Sequence, residues 1–408
     1  MDSIENKKET QNNSMPPHLK PVDHIKKPLP KRLIAWVKNN PKQSIPLAAS
    51  AVCIIIGSIF VFWPNNGTPT PAAISVPKKP LEFFSPLTGR KVSEDDSKLP
   101  VIAAIIENSP EARPQSGLQQ AGVVFESIAE GGITRFLALY QEDKPAQIGP
   151  VRSVRPHFAS WVAAFDAGLA HVGGSDIPLK KLRSGQIKDF DELNTANAPA
   201  YWRSADRFAP HNTYTSHKRL FDLAKNKKYT TSNFTSWDRI KDVEPAVQPP
   251  KQEGRSKDNS DSSNKDSSGK TIKAAEKQSI PATDIAVPVS EGLFAARFKW
   301  DSSKNTYSRS QGGLPHIDRE NGRITPSVVI VFQIPHNVIR DTNGYSYPDA
   351  ISQGKAWVFQ NGTVETADWK KTDDKQQLTF VDKEGKDIKL LPGQTWLSAI
   401  RPDVKPSW

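Results

Sequence analysis

The apolar positions change their spacing along the chain, and the first pattern predicts a membrane anchor. From Ile45 to Trp63 the sequence runs for nineteen residues without a charge. At about 1.5 Å per residue, such a helix just crosses a hydrocarbon layer of roughly 30 Å. Tryptophans stand on both sides of the run, as interfacial aromatic residues do. A buried core helix is the alternative, and the prolines at the ends of the run argue against it: Pro41, Pro46 and Pro64. We therefore expect a transmembrane helix over residues 44–63.

The flanking charges give the expected orientation of that helix. Residues 1–43 carry nine Lys or Arg against four acidic residues, and after Trp63 no basic residue occurs before Lys78. Because basic segments stay on the cytoplasmic side, residues 1–43 are predicted to form a basic cytoplasmic tail at the cell membrane. Residues 64–408 are then extracytoplasmic. They begin with a proline-rich stalk over residues 64–80, which is unlikely to pack because its composition favours extended chain.

The second pattern mixes strand and helix spacing and predicts an α/β domain over residues 81–245. The run VIAAII at 101–106 is continuous and apolar, as in a strand that is buried on both faces. Further strands are expected over residues 122–127 and 133–140, and a short strand and a short helix around residues 170–185. After Pro156 one apolar face recurs at helical spacing: Phe158, Trp161, Val162, Phe165 and Leu169.

The third pattern predicts a mostly antiparallel, all-β domain over residues 284–408. Asn-Gly pairs separate β-type runs there, and both residues tolerate the left-handed backbone of a two-residue hairpin turn. The pairs are Asn321-Gly322, Asn343-Gly344 and Asn361-Gly362, and Glu384-Gly385 adds a fourth predicted turn. Residues 246–283 are rich in Ser, Asp and Lys and poor in aliphatic residues, so we expect a disordered linker between the two domains.

The composition of the chain excludes several kinds of binding site and covalent cross-link. The 408 residues include 55 Lys and Arg against 44 Asp and Glu, which gives a net charge of +11, but no motif supports nucleic-acid binding. A single cysteine, Cys53, excludes an intrachain disulfide and a cysteine-based zinc site. A lipoprotein would need a small residue before that cysteine, and Val52 is there. An uncleaved anchor is the better interpretation.

The chemistry-bearing residues of the first domain cluster next to glycine. Guanidinium groups can grip a carboxylate or phosphate, and glycine lets backbone N–H groups approach an anion. Arg152 and Arg155 follow Gly149-Pro150, a turn that could direct both at one ligand. The predicted ligand-binding residues are Arg113, Glu130, Arg135, Arg152, Ser153, Arg155, Gly173, Gly174, Ser175 and His211.

A structural interpretation of these arginines stays open. Glu107, Glu126, Glu130 and Asp206 lie near them in the sequence and could pair with them in a buried network. Catalytic residues stay unknown, since the common nucleotide, hydrolase and zinc-protease motifs are absent. A nucleophile at Ser153 or Ser175 with His171 or His211 is a minor alternative. His316-Ile317-Asp318 favours turn hydrogen bonds over a metal, and no metal or cofactor is predicted.

Several motifs, in order, resemble the YerB-like family of bacterial envelope proteins. They are Pro86-Leu87-Thr88-Gly89, Glu107-Asn108, the segments at 113–118 and 130–135, Gly149-Pro150-Val151-Arg152-Ser153-Val154-Arg155, and His171-Val172-Gly173-Gly174-Ser175. Residues 306–309, 314–318 and 390–396 resemble its C-terminal domain. The resemblance implies a surface-exposed, membrane-tethered protein, often a lipoprotein, of unestablished activity. This chain departs from the family in its helical anchor and in Gly122, where an acidic residue is more usual.

The sequence thus predicts a single-pass cell-envelope protein without an assigned reaction. Its exported domain is expected to bind an anionic ligand, a cell-wall polymer or an envelope protein, with membrane lipid contacted through residues 44–63. The alternative function is an extracytoplasmic enzyme that acts on lipid-linked phosphate or glycan, with a pyrophosphate held by the paired arginines.

Overall fold

A computed structural model describes residues 81–241 and 280–408. The predicted tail, anchor and stalk, and all of the predicted linker before residue 280, lie outside these ranges. None of the helices in the two described ranges is long and apolar enough to cross a membrane. The helix expected over residues 44–63 therefore stays a prediction.

The first described range combines strands with short helices, as the sequence predicts. Its helices are α1 Glu94–Ser97, α2 Pro156–Ala163, α3 Asp176–Arg183 and α4 His217–Asn226, with 3-10 turns at Pro110–Ala112 and Ala198–Ala200. Its strands are β1 Phe83–Phe84, β2 Lys91–Val92, β3 Ile102–Glu107, β4 Val123–Glu130, β5 Ile133–Tyr140, β6 Gly168–His171, β7 Lys188–Asp191, β8 Trp202–Arg203 and β9 Thr213–Tyr214.

The second described range contains strands and one 3-10 turn, Gly292–Phe294, so the all-β prediction is confirmed for it. The strands are β10 Ile280–Pro281, β11 Asp284–Val287, β12 Ala296–Asp301, β13 Thr306–Gln311, β14 Leu314–Pro315, β15 Ile317–Asp318, β16 Gly322–Arg323, β17 Val328–Gln333, β18 Ile339–Arg340, β19 Ser346–Tyr347, β20 Gln353–Gln360, β21 Thr363–Lys370, β22 Thr379–Val381 and β23 Thr395–Ile400.

One large sheet runs through both ranges. Its strand order is β10-β21-β20-β17-β23-β4-β5-β3-β6-β7, with β22 beside β21. Pairing is parallel where β23 meets β17 and β4, and again along β3, β6 and β7, whereas the other pairs are antiparallel. The two described ranges accordingly group as one compact unit. The sequence analysis divided this region into two domains, but here the two parts share a sheet.

Strand β23 joins the two ranges because it is buried on both faces. All six of its residues are buried, and Leu397 pairs with Phe125 of β4. The Thr395 N–H donates to the Gly122 carbonyl oxygen at 3.0 Å. An apolar strand of this kind needs a hydrogen-bonding neighbour on each side, and β4 supplies the second one.

The two faces of the large sheet carry two cores. Along β3 the alternate residues Ala103 and Ile105 belong to one core, and Ile102, Ala104 and Ile106 belong to the other. The first core includes the α2 aromatics, and the second includes α4 and the small sheet of β11–β14. Burial on both faces explains why these strands read as continuous apolar runs.

One of the predicted turns has both residues at positive φ, whereas in the others only the glycine does: Gly322, Gly344 and Gly385. Asn361 and Gly362 connect β20 to β21 with φ angles of 54° and 68°.

The predicted helix after Pro156 is present as α2, but Leu169 lies in β6 instead of on the apolar face of that helix. Asp166, with a φ of 48°, separates the helix from that strand. The predicted linker also ends early, because β10 pairs with β21 and Ala282 is buried.

A buried ion pair links the two ranges at the centre of the molecule. Arg309 of β13 donates to both carboxylate oxygens of Glu126 at 2.7 and 2.9 Å, and both side chains have zero exposure. Trp396 of β23 donates to the same carboxylate at 3.1 Å, while its ring lies 4.7 Å from the guanidinium carbon. Both contacts come from Nη2 of Arg309, and together with the added donor they offset the desolvation of the two charges.

Replacement of Arg309 by Met should strongly destabilise the fold. The Glu126 carboxylate would stay buried without its cation, and removal of one partner of a buried pair costs about 3–5 kcal/mol. Urea unfolding of the full chain, followed by tryptophan fluorescence, measures this loss. Arg297→Met is the matched control, since its bidentate pair with Asp284 is exposed, and its urea midpoint should equal that of the parent. Equal midpoints for the two variants would contradict the prediction.

Buried histidines should make the fold sensitive to mild acid. Both ring nitrogens of His157 lack hydrogen-bond partners among the described residues, and its ring lies 4.2 Å from that of Phe158. Burial, followed by the charge of His336 and of Arg155, holds the pKa of His157 well below its ordinary value. Burial, then Arg309, has the same effect on the pKa of His316.

Below about pH 6.5 these histidines therefore bind protons in the unfolded chain and stay neutral in the folded chain. Unfolding free energy should fall as the pH drops from about 6.5 to about 5, by about 1.4 kcal/mol per pH unit for each such histidine. Urea unfolding at several pH values in this range measures the change. The unfolding free energy of His157→Phe should fall less steeply with decreasing pH than that of the parent, because the variant removes one titrating group. An unchanged slope would show that His157 does not contribute.

Candidate functional site

Charged residues meet where β3, β4 and β5 come together at one end of the sheet. Glu107 ends β3, and Glu130 ends β4. Arg135 lies on β5 between them, because it pairs in register with Glu107 on one side and with Ser127 on the other. The turn from β4 to β5 consists of Gly131 and Gly132, both at positive φ. The sheet therefore places the carboxylates of Glu107 and Glu130 on the two strands that flank the buried guanidinium of Arg135.

The first charged cluster comprises Glu130, Arg135 and Arg155. Arg155 donates to Glu130 Oε2 through Nη2 at 2.5 Å and through Nε at 3.2 Å. Arg135 donates to the Ser153 carbonyl oxygen at 2.7 Å and reaches Glu130 Oε1 at 3.4 Å. Burial lowers the pKa of Arg135 to about 10, and the charge of Arg155 adds to the effect. Against its own burial, the two arginines lower the pKa of Glu130. The carboxylate of Glu130 thus occupies the position that the sequence analysis gave to an external anion.

The second charged cluster centres on Glu107, whose side chain is 5% exposed. Arg152 Nε lies 3.3 Å from Glu107 Oε1, and His211 Nδ1 lies 3.0 Å from Oε2. The Ser109 hydroxyl donates to Oε1 at 3.0 Å. Arg152 and Arg155 therefore contact different carboxylates, although the sequence placed them on one ligand. Three positions apart in extended chain, two side chains point to opposite sides, and Arg155 has extended backbone angles.

The glycine segment at 173–175 is engaged by the protein itself. The Gly173 N–H donates to Asp191 Oδ1 at 2.8 Å, and the Ser175 N–H donates to the Val154 carbonyl oxygen at 3.3 Å. Gly174 packs so closely on Val154 that a Cβ would lie 2.6 Å from its Cγ1. Glycine is therefore required here because the backbone packs closely against Val154 of the same chain. The N–H groups of Gly173 and Ser175 stabilise the fold.

His171 belongs to the same structural region. It is fully buried, with Nδ1 2.9 Å from the Gly173 carbonyl oxygen and Nε2 3.1 Å from Asp189 Oδ1. Both nitrogens are occupied by these partners, and neither has a serine partner among the described residues. Within the described ranges, the pair that does bring a serine to a histidine is Ser109 and His211, at 3.4 Å.

A cavity of about 460 Å³ opens beside the second cluster. His211 lines it together with three arginines, two acidic residues and two apolar ones: Arg113, Arg207, Arg319, Glu111, Asp206, Pro114 and Phe208. The Phe208 ring is 91% exposed. Seven of the eight lining residues come from the first described range and Arg319 from the second, where it follows β15.

Two of the three cavity arginines lack a carboxylate partner among the described residues. Arg113 donates to the Asn108 carbonyl oxygen at 2.9 Å and stacks on Phe294 at 5.0 Å. Arg207 donates to the carbonyl oxygens of Glu111 and Pro114 at 2.7 and 2.6 Å. Carbonyl groups position a guanidinium without neutralising its charge, so both cations remain available to an anion.

The third arginine, Arg319, is paired. It contacts the Asp206 carboxylate, and this hydrogen bond, together with that of Ser204, lowers the pKa of Asp206 to about 2. Burial and the charge of Arg309 lower the pKa of Arg113. The cavity consequently carries more cationic than anionic groups.

The predicted site residues divide into two groups. Arg113 and His211 line the cavity, and Arg152 contacts the glutamate that holds His211. Arg135, Arg155, Ser153, Glu130 and the segment 173–175 belong to the ion-pair cluster and the glycine segment. The structural pairing left open by the sequence analysis is present for Arg135, Arg152 and Arg155. Among the described residues, no group of three His, Cys, Asp or Glu side chains could hold a metal ion.

Reasoning from the sequence missed Arg319, Glu111 and Phe208. Arg319 precedes the Asn321-Gly322 turn, and the sequence analysis placed that turn in a separate domain. The signal was the run Asp318-Arg319-Glu320, which is highly charged for a turn. Asp318 does accept turn hydrogen bonds, from the N–H groups of Glu320 and Asn321 at 3.2 and 2.9 Å.

Gly122, the departure from the family pattern, has no room for an acidic side chain. A Cβ there would lie 2.6 Å from Thr88 Cγ2 and 2.8 Å from Leu87 Cδ2. In this chain the position therefore serves close packing beneath β4.

Comparison with known proteins agrees with the resemblance seen in the sequence. Residues 87–230 match a domain described as "Protein of unknown function (DUF3048) N-terminal domain", and residues 285–397 match the corresponding C-terminal domain. The chain is 30% identical over 333 residues to "Putative lipoprotein YerB" of Bacillus subtilis (strain 168), which covers 81% of this chain and 89% of the relative. The crystal structure of YerB protein from Bacillus subtilis superposes with a TM-score of 0.64 at 28% identity, over 80% of this chain and 100% of that one.

Arg135 should contribute to stability more than an exposed arginine does. Arg135→Met leaves the Ser153 carbonyl oxygen without its donor and removes one of the two cations that hold Glu130. Loss of a buried hydrogen bond to a charged group costs about 1.5–3 kcal/mol. Arg203→Met is the control, because its pair with Glu192 is half-exposed and such pairs contribute less than about 1 kcal/mol. Urea unfolding compares the two, and a smaller loss for Arg135→Met would contradict the structural role.

Proposed function

The chain belongs to the DUF3048 family, for which no function is known, so we propose a function from its own site. The protein binds an anionic ligand in the cavity lined by Arg113, Arg207 and Arg319. The ligand is a phosphate- or carboxylate-bearing group of the cell envelope, such as part of a wall polymer or of a partner protein. The single observation that carries the proposal is the pair of guanidinium groups, on Arg113 and Arg207, that have carbonyl partners and no carboxylate in the described residues.

The size and shape of the cavity favour a small anionic group attached to a larger body. About 460 Å³ is within the range of small-molecule sites. The exposed Phe208 ring at its edge offers an apolar or stacking contact to the part of the ligand that extends outside. The arginines give the site its preference for a planar or tetrahedral oxyanion, because the guanidinium fork matches both.

We further propose that the protein works at the outer face of the cell membrane. The uncharged run over residues 45–63 and the basic segment before it support a single-pass anchor with a cytoplasmic N-terminus. The name of the Bacillus subtilis relative, a lipoprotein, supports membrane association of a different kind for the same domains. A tethered binding domain would hold its ligand close to the membrane surface.

The cavity arginines should be required for binding. The full chain in detergent is titrated with inorganic pyrophosphate, and its melting temperature is recorded, because a ligand that binds the folded state alone must raise it. Arg113→Ala and Arg207→Ala should each reduce the rise at a fixed ligand concentration, and the double variant should abolish it. Each lost charge-assisted contact is expected to weaken binding by about tenfold or more.

Arg297→Ala supplies the control for a change in total charge, since this exposed arginine lies on the small sheet and outside the cavity. It should show the same rise as the parent. The proposal fails if pyrophosphate gives no rise in the parent, or if the Arg113 and Arg207 variants keep a full rise while their unliganded melting temperatures are normal.

A further inference from the structure

The imidazole of His211 is held by a buried carboxylate at the wall of the arginine-lined cavity. Its Nδ1 lies 3.0 Å from Glu107 Oε2, and Glu107 is itself fixed by Arg152 at 3.3 Å and by the Ser109 hydroxyl at 3.0 Å. Nε2 of His211 has no hydrogen-bond partner among the described residues, and the side chain is 22% exposed. A neutral ring that donates Nδ1–H to Glu107 presents the Nε2 lone pair as an acceptor.

This arrangement differs from that of the other described histidines. His171 has acceptors at both nitrogens, and His157 is enclosed by aromatic rings. His211 alone among the described histidines lines the cavity that holds the unneutralised arginines. A carboxylate that orients an imidazole, with the second nitrogen free beside an oxyanion site, is the geometry of a general base.

We propose that the cavity hydrolyses a phosphoryl–oxygen bond of its bound ligand, with His211 as the general base. This inference rests on the proposed function, since the arginines must first hold the phosphoryl group. His211 Nε2 accepts a proton from a water molecule as the water oxygen forms a bond to phosphorus. The phosphorus–oxygen bond to the leaving group breaks, the leaving oxygen takes the electron pair, and the proton passes from Nε2 to that oxygen. The products are a phosphate and a hydroxyl compound or a second phosphate.

The other groups of the site have defined parts in this step. Arg113 and Arg207 hold the phosphoryl oxygens and stabilise the charge that develops on them. Glu107 is a positioning residue: its carboxylate fixes the tautomer of His211 and stabilises the imidazolium while the proton is on Nε2. Arg152 Nε lies 3.3 Å from Glu107 Oε1, while His211 contacts Oε2, so Arg152 helps to hold the carboxylate in place. The step needs water and no other co-reactant.

The test measures product release by the full chain in detergent from two probes that separate a soluble from a lipid-linked source. They are p-nitrophenyl phosphate, which releases p-nitrophenol, and a polyprenyl diphosphate in mixed micelles, which releases inorganic phosphate. His211→Gln should lower kcat by about 100-fold or more with little change in KM, because general-base catalysis contributes about 10²–10⁴-fold. Arg113→Ala should instead raise KM.

Glu107→Gln retains an acceptor for Nδ1–H but removes the charge that stabilises the imidazolium. It should lower kcat by at least about tenfold and shift the pH profile, neither of which a merely structural role would produce. His336→Gln is the matched histidine control, because His336 contacts the Ile334 carbonyl oxygen and does not line the cavity. Its kcat and KM should equal those of the parent.

The possible outcomes separate this inference from the proposed function. Turnover of either probe that is lost in His211→Gln, while pyrophosphate still raises the melting temperature of that variant, supports both. Binding of pyrophosphate without turnover of either probe overturns the hydrolytic step and leaves the binding function. Turnover that His211→Gln does not reduce also overturns it. Absence of both binding and turnover overturns the proposed function and this inference together.

Discussion

The ion pair between Glu126 and Arg309 is the interaction on which the rest of the structure depends. Each charge would be prohibitively costly at zero exposure without the other, so β4 and β13 are stable only when they meet. Trp396 donates to the same carboxylate from β23, which ties the third partner strand to the pair. An apolar contact at this point would tolerate sliding of the strands, whereas a charged pair with a third donor fixes how these side chains meet.

The same rule, applied outward from this pair, distinguishes structural from available cations. Arg135 and Arg155 share the Glu130 carboxylate, and Arg152 contacts Glu107. These cations are neutralised where they are buried. Arg113 and Arg207 hold their positions through backbone carbonyl oxygens, without a carboxylate hydrogen-bond partner among the described residues. Arg239 is also held by carbonyl oxygens, but it does not line the cavity. Two such groups at one cavity are the basis of the proposed anion site.

Local features of the fold could be predicted from the sequence, and long-range pairings could not. The β20–β21 turn follows from Asn361-Gly362, because both residue types accept its positive φ angles readily. Helix α2 follows from apolar spacing, but its end required knowing that Asp166 adopts a left-handed conformation. Nothing local in residues 395–400 indicates that this strand pairs with β4, whose paired residues lie 272 positions earlier in the sequence. The sequence also identified the arginines and their candidate carboxylate partners, among them Glu107 and Glu130. It did not show which carboxylate meets which arginine, because the sheet decides that pairing.

The cavity is lined by residues of both described ranges. Residues 111–114 and 206–211 form most of its wall, and Arg319 closes it from the turn after β15. The backbone bond from the Arg319 N–H to the Gln115 carbonyl oxygen, at 2.8 Å, anchors that turn beside Arg113. Neither range would enclose the site alone, so the free energy of ligand binding is also free energy that holds the ranges together. The second described range supplies only one residue to the cavity. Its physical role is to fix the shape of a site whose other lining residues belong to the first range.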